Sequence, residues 1–137
     1  GSEMCIRDSK SKEIKSTPRL YEIEGFSVYV GKNNTQNEQV TFRIAKAKDI
    51  WMHTQTVHSG HVAVIAENRD VPPSVLLKAA EITAFFSQAR NGTKIAVDYT
   101  MRENVKKPSG AKTGFVTYVN FSTLLVNPDE HAELLKQ

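Results

Sequence analysis

A chain of 137 residues has room for one ordinary domain and not for two independent cores. With 39% hydrophobic and 24% charged residues it is neither a disordered polar tail nor a membrane protein, since no apolar run nears the roughly 20 residues that span a bilayer. One cysteine, Cys5, excludes an intrachain disulfide and a thiolate zinc site, and the absence of a charged-then-apolar leader points to a reducing compartment. The net charge of +3 is unevenly placed. Between residues 94 and 112, Lys94, Arg102, Lys106, Lys107 and Lys112 face only Asp98 and Glu103, a surplus equal to that of the whole chain. Arg43, Lys46 and Lys48 form a second basic run, whereas the chain end is acidic (Asp129, Glu130 and Glu133 against Lys136). Clustered positive charge favours a polyanionic partner over general solubility.

Gly1-Ser2 resembles the start of a processed tag, so 1–10 is expected to be a tag or cloning remnant and 11–19 a linker, leaving 20–137 as a single domain. This places Cys5 outside the domain. The Lys- and Ser-rich linker suggests a piece of a longer protein. Residues 20–23 and 26–30 flank Glu24-Gly25 as a tight hairpin, with Val28 and Val30 on one face and Ser27 and Tyr29 on the other. Gly31-Lys32-Asn33-Asn34 is a turn cluster, because Gly and Asn tolerate positive φ. The 35–47 segment is ambiguous between helix and strand; Val40, Ile44 and Ala47 at helical spacing favour a short helix. Strands are expected at 49–54 and 61–66.

The clearest helix spans 73–90, with Pro72 and Pro73 at its start, a stripe of Val75, Ala79, Ile82, Phe86 and Ala89, and Asn91-Gly92 at its end. Ile95, Val97, Tyr99 and Met101 alternate with polar or small residues as a strand with one buried face. Residues 115–120 and 123–127 are expected to close the chain as a hairpin, with a helical turn or two at 129–136. These elements predict an α+β domain: a largely antiparallel β-sheet of about seven strands with one long helix and one short helix.

Three constellations could carry chemistry. In 105–114, small residues, Gly110 and Gly114 allow backbone amides to approach an anion while Lys106, Lys107 and Lys112 neutralise it. The spacing is not that of a P-loop, and a solvated hairpin connection has the same composition. His53, His58 and His61 near Asp49 invite a metal, but spacing and ligand count support none. Trp51 suits the core, or stacking on a base. Ser59 beside His58 and His61 has no acid to orient a base, and no catalytic motif is present. The chain is therefore expected to be no enzyme and to need no cofactor or metal.

Three blocks in order carry a resemblance: Tyr29-Val30-Gly31-Lys32-Asn33-Asn34 with Gln36-Asn37, then Asp49-Ile50-Trp51-Met52-His53, then Val105-Lys106-Lys107-Pro108-Ser109-Gly110-Ala111-Lys112. Together they resemble the NFACT-R domain, the C-terminal module of RqcH-type and NEMF-like proteins, also called the fibronectin-binding protein A family. Coverage is about 21–128. The chain has His58-Ser59-Gly60-His61 where the family often has Pro-Gly-Ser-His, and Thr113 where Pro is usual. The resemblance implies an RNA-binding module of a cytoplasmic ribosome quality-control factor. Such factors bind stalled 50S subunits with peptidyl-tRNA and support C-terminal alanine tailing. Implied partners are tRNA or 23S rRNA, the 50S subunit and other domains of the parent protein, with no membrane. The RNA-binding residues expected on this basis are Lys32, Asn33, Asn34, Asn37, Asp49, Trp51, His53, His61, Lys106, Lys107, Ser109 and Lys112. The alternative is a cell-surface adhesin module that binds fibronectin.

Overall fold

The computed structural model describes residues 17–128; the expected tag, most of the expected linker and the acidic chain end lie outside them. Strands β1 (Arg19–Ile23) and β2 (Phe26–Val30) form the expected hairpin, turning through Glu24 and Gly25, both at positive φ. Arg19, placed in the linker by sequence, is the first strand residue. A short helix α1 (Asn34–Glu38) continues directly as a π-helical turn (Gln39–Ile44). Strands β3 (Ile50–Thr54) and β4 (Val62–Ile65) pair antiparallel, as the buried run Val62-Ala63-Val64-Ile65 suggests.

Helix α2 (Pro73–Phe85) is followed by β5 (Ile95–Met101), a 3-10 turn (Arg102–Asn104), β6 (Val105–Lys106), β7 (Thr117–Tyr118) and β8 (Ser122–Val126). The main sheet is wholly antiparallel in the order β1-β2-β4-β3-β5-β8, and β6 and β7 form a separate pair. The α+β class holds, with a six-stranded sheet and a two-stranded one.

Because side chains alternate along a strand, the sheet has two faces with different covers. On one, Val28, Val30, Met52, Val62, Val64 and Val97 meet Val75, Ala79 and Ile82 of α2 in the principal core. On the other, Val40 and Ala45 from the α1–π segment cover Ala63 in a smaller cluster. The β6–β7 pair covers the rest of that face, and this is why β5 departs from expectation. Asp98 and Thr100, on its polar side, are buried as thoroughly as Val97.

Three further expectations are corrected. Helix α2 stops at Phe85, not at 90. Phe86 leaves helical φ/ψ, the Ser87 hydroxyl donates to the Ala84 carbonyl at 2.6 Å, and Gly60 N and Gln88 N bond to Phe86 O and His58 O. Long-range pairing with the 58–60 turn thus takes the chain before Asn91-Gly92 can cap it. Ala89 is outside the helix and Phe86 is half-buried, so Phe86→Ala should cost less than the ~3–5 kcal/mol of a fully buried ring, as a thermal melt will show.

The 115–120 and 123–127 segments do not pair with each other; Asn120 at positive φ separates them, and each joins an earlier strand. The Gly31–Asn34 turn uses no positive φ. Asn33 caps α1 by accepting from Gln36 N at 2.9 Å. Gly31 is required by proximity instead, because a Cβ there would lie 2.1 Å from Asn37 Oδ1.

Candidate nucleic-acid interface

Strand β3 places Trp51 and His53 on the face that β6–β7 covers, Asp49 immediately precedes the strand, and each of the three is used differently. Asp49 is buried and its carboxylate accepts from Lys46 N (2.8 Å) and Ala66 N (2.9 Å), closing the loop before β3. Trp51 is wholly buried. Its Nε1–H donates to Thr41 Oγ1 at 2.9 Å, and its ring lies parallel to His53, edge-on to His61 and 4.9 Å from Tyr118.

His61 Nδ1 also meets Thr41 Oγ1 at 2.9 Å. The hydroxyl receives the indole proton and has its own proton left to give to Nδ1, an arrangement that favours the imidazole proton on Nε2. Asn37 Oδ1 accepts from His61 N at 3.0 Å. Four of the expected RNA-binding residues, Asn37, Asp49, Trp51 and His61, are therefore buried, with polar groups committed to internal hydrogen bonds. They shape the site from beneath.

Burial, reinforced by the neighbouring His53 and His58, pushes the His61 imidazole down to about 3; burial also lowers His53. The unfolded imidazole titrates near 6.5 and binds a proton that the native ring refuses. Stability is thus complete above about pH 6.5 and falls as pH drops toward 3, by up to about 1.4 kcal/mol per pH unit. Urea unfolding at pH 7 and pH 4.5 should show a smaller difference for His61→Gln than for the parent. Equal differences would exclude His61 as the source.

The accessible walls are other residues. A cavity of about 330 Å³ opens above Trp51, walled by His53, His58, Phe115 and Tyr118, with Lys112 and Asn34 at its edge. Among the described residues no Asp or Glu lines it. His53 Nδ1 donates to the Thr54 carbonyl, so its Nε2 is left as an acceptor. Asp98 holds the outer wall: it accepts from Tyr118 OH (2.6 Å), Thr123 Oγ1 (2.7 Å) and Gln55 Nε2 (3.2 Å). Burial, and then the hydrogen bond to Asp98, push the Tyr118 phenol well above its ordinary value, so it remains a neutral donor.

The basic loop beside the cavity is exposed at Lys106, Ser109 and Lys112. Lys107 differs, because its ammonium pairs with Glu38 at 2.6 Å while Gly114 N donates to the same Glu38 oxygen at 2.9 Å. Those two bonds, led by Lys107, hold the Glu38 carboxyl below its ordinary range. Lys107 thus fastens the loop to α1, while Lys106 and Lys112 face solvent. Lys32, Asn33 and Asn34 are exposed in the neighbouring turn.

The structure brings the three histidine rings together, 5.5 Å between His53 and His61 and 6.3 Å between His53 and His58. Among the described residues no His, Cys, Asp or Glu cluster could hold a metal ion. Sequence reading missed Phe115, Tyr118 and His58 as walls and Thr41, Glu38 and Asp98 as supports. Only the aromatic residues carried a signal, as large side chains flanking a basic glycine-containing loop.

An aromatic and imidazole cavity free of carboxylates, beside exposed lysines, is the equipment of a module that stacks on bases and neutralises phosphates. The family described as the NFACT protein RNA binding domain matches residues 18–120, and the chain belongs to it. Two similar curated proteins are both named Rqc2 homolog RqcH. One, from Bacillus subtilis (strain 168), is 45% identical over 121 residues, 88% of this chain and 21% of that protein. The other, from Streptococcus suis (strain 05ZYH33), is 43% identical over 103 residues, 75% and 18% respectively. The chain thus spans about a fifth of the length of these relatives. A solved structure, the C-terminal of the fibronectin/fibrinogen-binding protein from Streptococcus suis, superposes with a TM-score of 0.83 at 37% identity, covering 88% of this chain and 49% of that one. Among the described residues no helix is long and apolar enough to cross a membrane.

Proposed function

We propose that this domain binds unstacked RNA, with a base in the cavity between His53, His58 and Phe115 and phosphates on Lys112 and Lys106. The observation that carries the reading is the carboxylate-free aromatic cavity bordered by Lys112. Its acceptor and donor groups suit a base edge, and its rings suit a base face. The module acts by binding, without catalysis: the Ser59 hydroxyl is buried, accepts from Thr54 N and donates to Gly60 O, and so is not poised as a nucleophile.

The names of its relatives support a wider role. The domain would serve as the RNA-binding part of a cytoplasmic ribosome quality-control factor. On the family resemblance, that factor acts with its other domains on stalled 50S subunits carrying peptidyl-tRNA, in support of alanine tailing. The contacted RNA is then tRNA or 23S rRNA. The name of the Streptococcus suis structure favours a second reading, fibronectin binding. The same variants separate the two.

The double substitution Lys106→Glu and Lys112→Glu should weaken binding to single-stranded RNA and to purified 50S subunits. It should flatten the salt dependence by about 1.4 in log K per log salt, about 0.7 for each lost phosphate contact. Both side chains are exposed, so stability should change by no more than about 0.5 kcal/mol. Lys107 is kept in this variant because it fastens the loop. RNA affinity unchanged with the fold intact overturns the reading, and fibronectin binding lost in step with RNA binding would put both ligands on one surface.

A further inference from the structure

We propose that the bound RNA strand continues over His58 into a second cleft, where Lys32 and Arg19 hold the phosphate of the neighbouring nucleotide; the proposal rests on the aromatic cavity being the base site. The second cleft, about 240 Å³, is lined by Arg19, Lys32, Asn33, His58, Phe86 and Gln88 among others. His58 lines both cavities, and Asn33 faces one while its neighbour Asn34 faces the other. The two are therefore adjacent, separated by one imidazole and one turn of chain.

The second cleft carries two cationic side chains, Arg19 and Lys32, and among the described residues no Asp or Glu lines it. Five of the surrounding backbone amides are committed elsewhere: Gly31 N to His61 O, Lys32 N to Gln36 Oε1, Asn37 N to Asn33 O, Gly60 N to Phe86 O and Gln88 N to His58 O. Recognition of an anion thus falls to side chains. Asn33 Oδ1 accepts from Gln36 N, which turns its Nδ2 the other way as a donor. The Arg19 guanidinium lies over the Phe86 ring, 4.7 Å from the centroid, so it is held in place beside the cleft. The end of α2 could oppose an anion, but part of its carbonyl charge is answered: Ile82 O accepts from Phe86 N, Ala84 O from the Ser87 hydroxyl and, just past the helix, Phe86 O from Gly60 N.

A base-stacking cavity and a phosphate-binding cleft on either side of one ring suit successive parts of a single strand. The ligand class is single-stranded RNA, or a splayed loop, rather than a regular duplex, whose stacked bases cannot enter the first cavity.

The test uses the whole 137-residue chain and a short, labelled single-stranded oligoadenylate. Lys32→Glu should weaken binding about tenfold, one charge-assisted contact, and lower the salt slope by about 0.7. His58→Ala should also weaken binding, with an unchanged melt since its side chain is exposed. In amide spectra of the labelled parent, Lys32 and Gly60 should shift in step with Gly114 and Phe115, giving one dissociation constant. If Lys32→Glu binds normally and shifts stay near Gly114, while Phe115→Ala weakens binding, the second cleft is excluded and the first stands. If neither Lys32→Glu nor Phe115→Ala weakens binding, or the parent does not bind, both readings fall.

Discussion

Trp51→Ala should cost about 3–5 kcal/mol, the largest loss expected from any single substitution at the site. The indole is wholly buried, supports Tyr118 and His53 by ring contact, and satisfies Thr41, which in turn favours one His61 tautomer. Alanine leaves a void with polar walls and removes the indole donor from Thr41 Oγ1, which keeps His61 Nδ1 as a partner. Trp51→Phe keeps most of the apolar volume and should cost about 1–2 kcal/mol, mainly for the lost hydrogen bond. Urea midpoints followed by circular dichroism measure both. A parent-like midpoint for the alanine variant would show that the ring is not the keystone of this face.

Asp98→Ala is expected to cost about 2–4 kcal/mol. The carboxylate is 1% exposed and answers three donors, from β3's following turn, β7 and β8. Removing it also removes the cost of keeping a charge out of water, which offsets part of the loss. Its larger consequence is local. Tyr118 loses its anchor, so β7 and the basic loop attached to it are released from the sheet. Amide exchange should therefore rise in 105–118 before it rises in β1 and β2. Uniform exchange across the chain would mean that Asp98 contributes only to global stability. Asp98→Asn keeps one acceptor oxygen and should give a smaller effect in the same place.

Much of the sheet was legible because period-two patterns are local. Val62-Ala63-Val64-Ile65 and the Glu24-Gly25 hairpin announce themselves within a few residues. The end of α2 was not, since Ala89 and Asn91-Gly92 satisfy every local rule for a longer helix, and only the 58–60 turn, distant in sequence, overrides them. The site was legible as a set of blocks and not as a surface. Asp49 and Asn37 look like polar ligands in sequence, yet each closes an internal loop by hydrogen bonds to backbone amides. Lys107 resembles Lys106 in composition, and only the position of Glu38 in space separates their roles. Glu38 and Asp98 carry no local signal, because a carboxylate anchoring a loop 20 to 76 residues away has no pattern of its own.

Gly31 and Gly60 meet without any side chain between them: a Cβ on Gly60 would lie 2.3 Å from the Gly31 carbonyl oxygen, and Gly31 N bonds to His61 O at 3.0 Å. The floor of the second cleft is consequently fixed by main-chain geometry and not by rotamers. Side-chain substitutions at Lys32 or Phe115 can alter how strongly each cavity would hold its occupant, but they leave that floor in place. On the proposed reading the domain acts as a ruler with two marks, tolerant of the identity of what is measured and intolerant of its spacing. A backbone of different repeat, such as one with an added methylene between nucleosides, would fall between the marks.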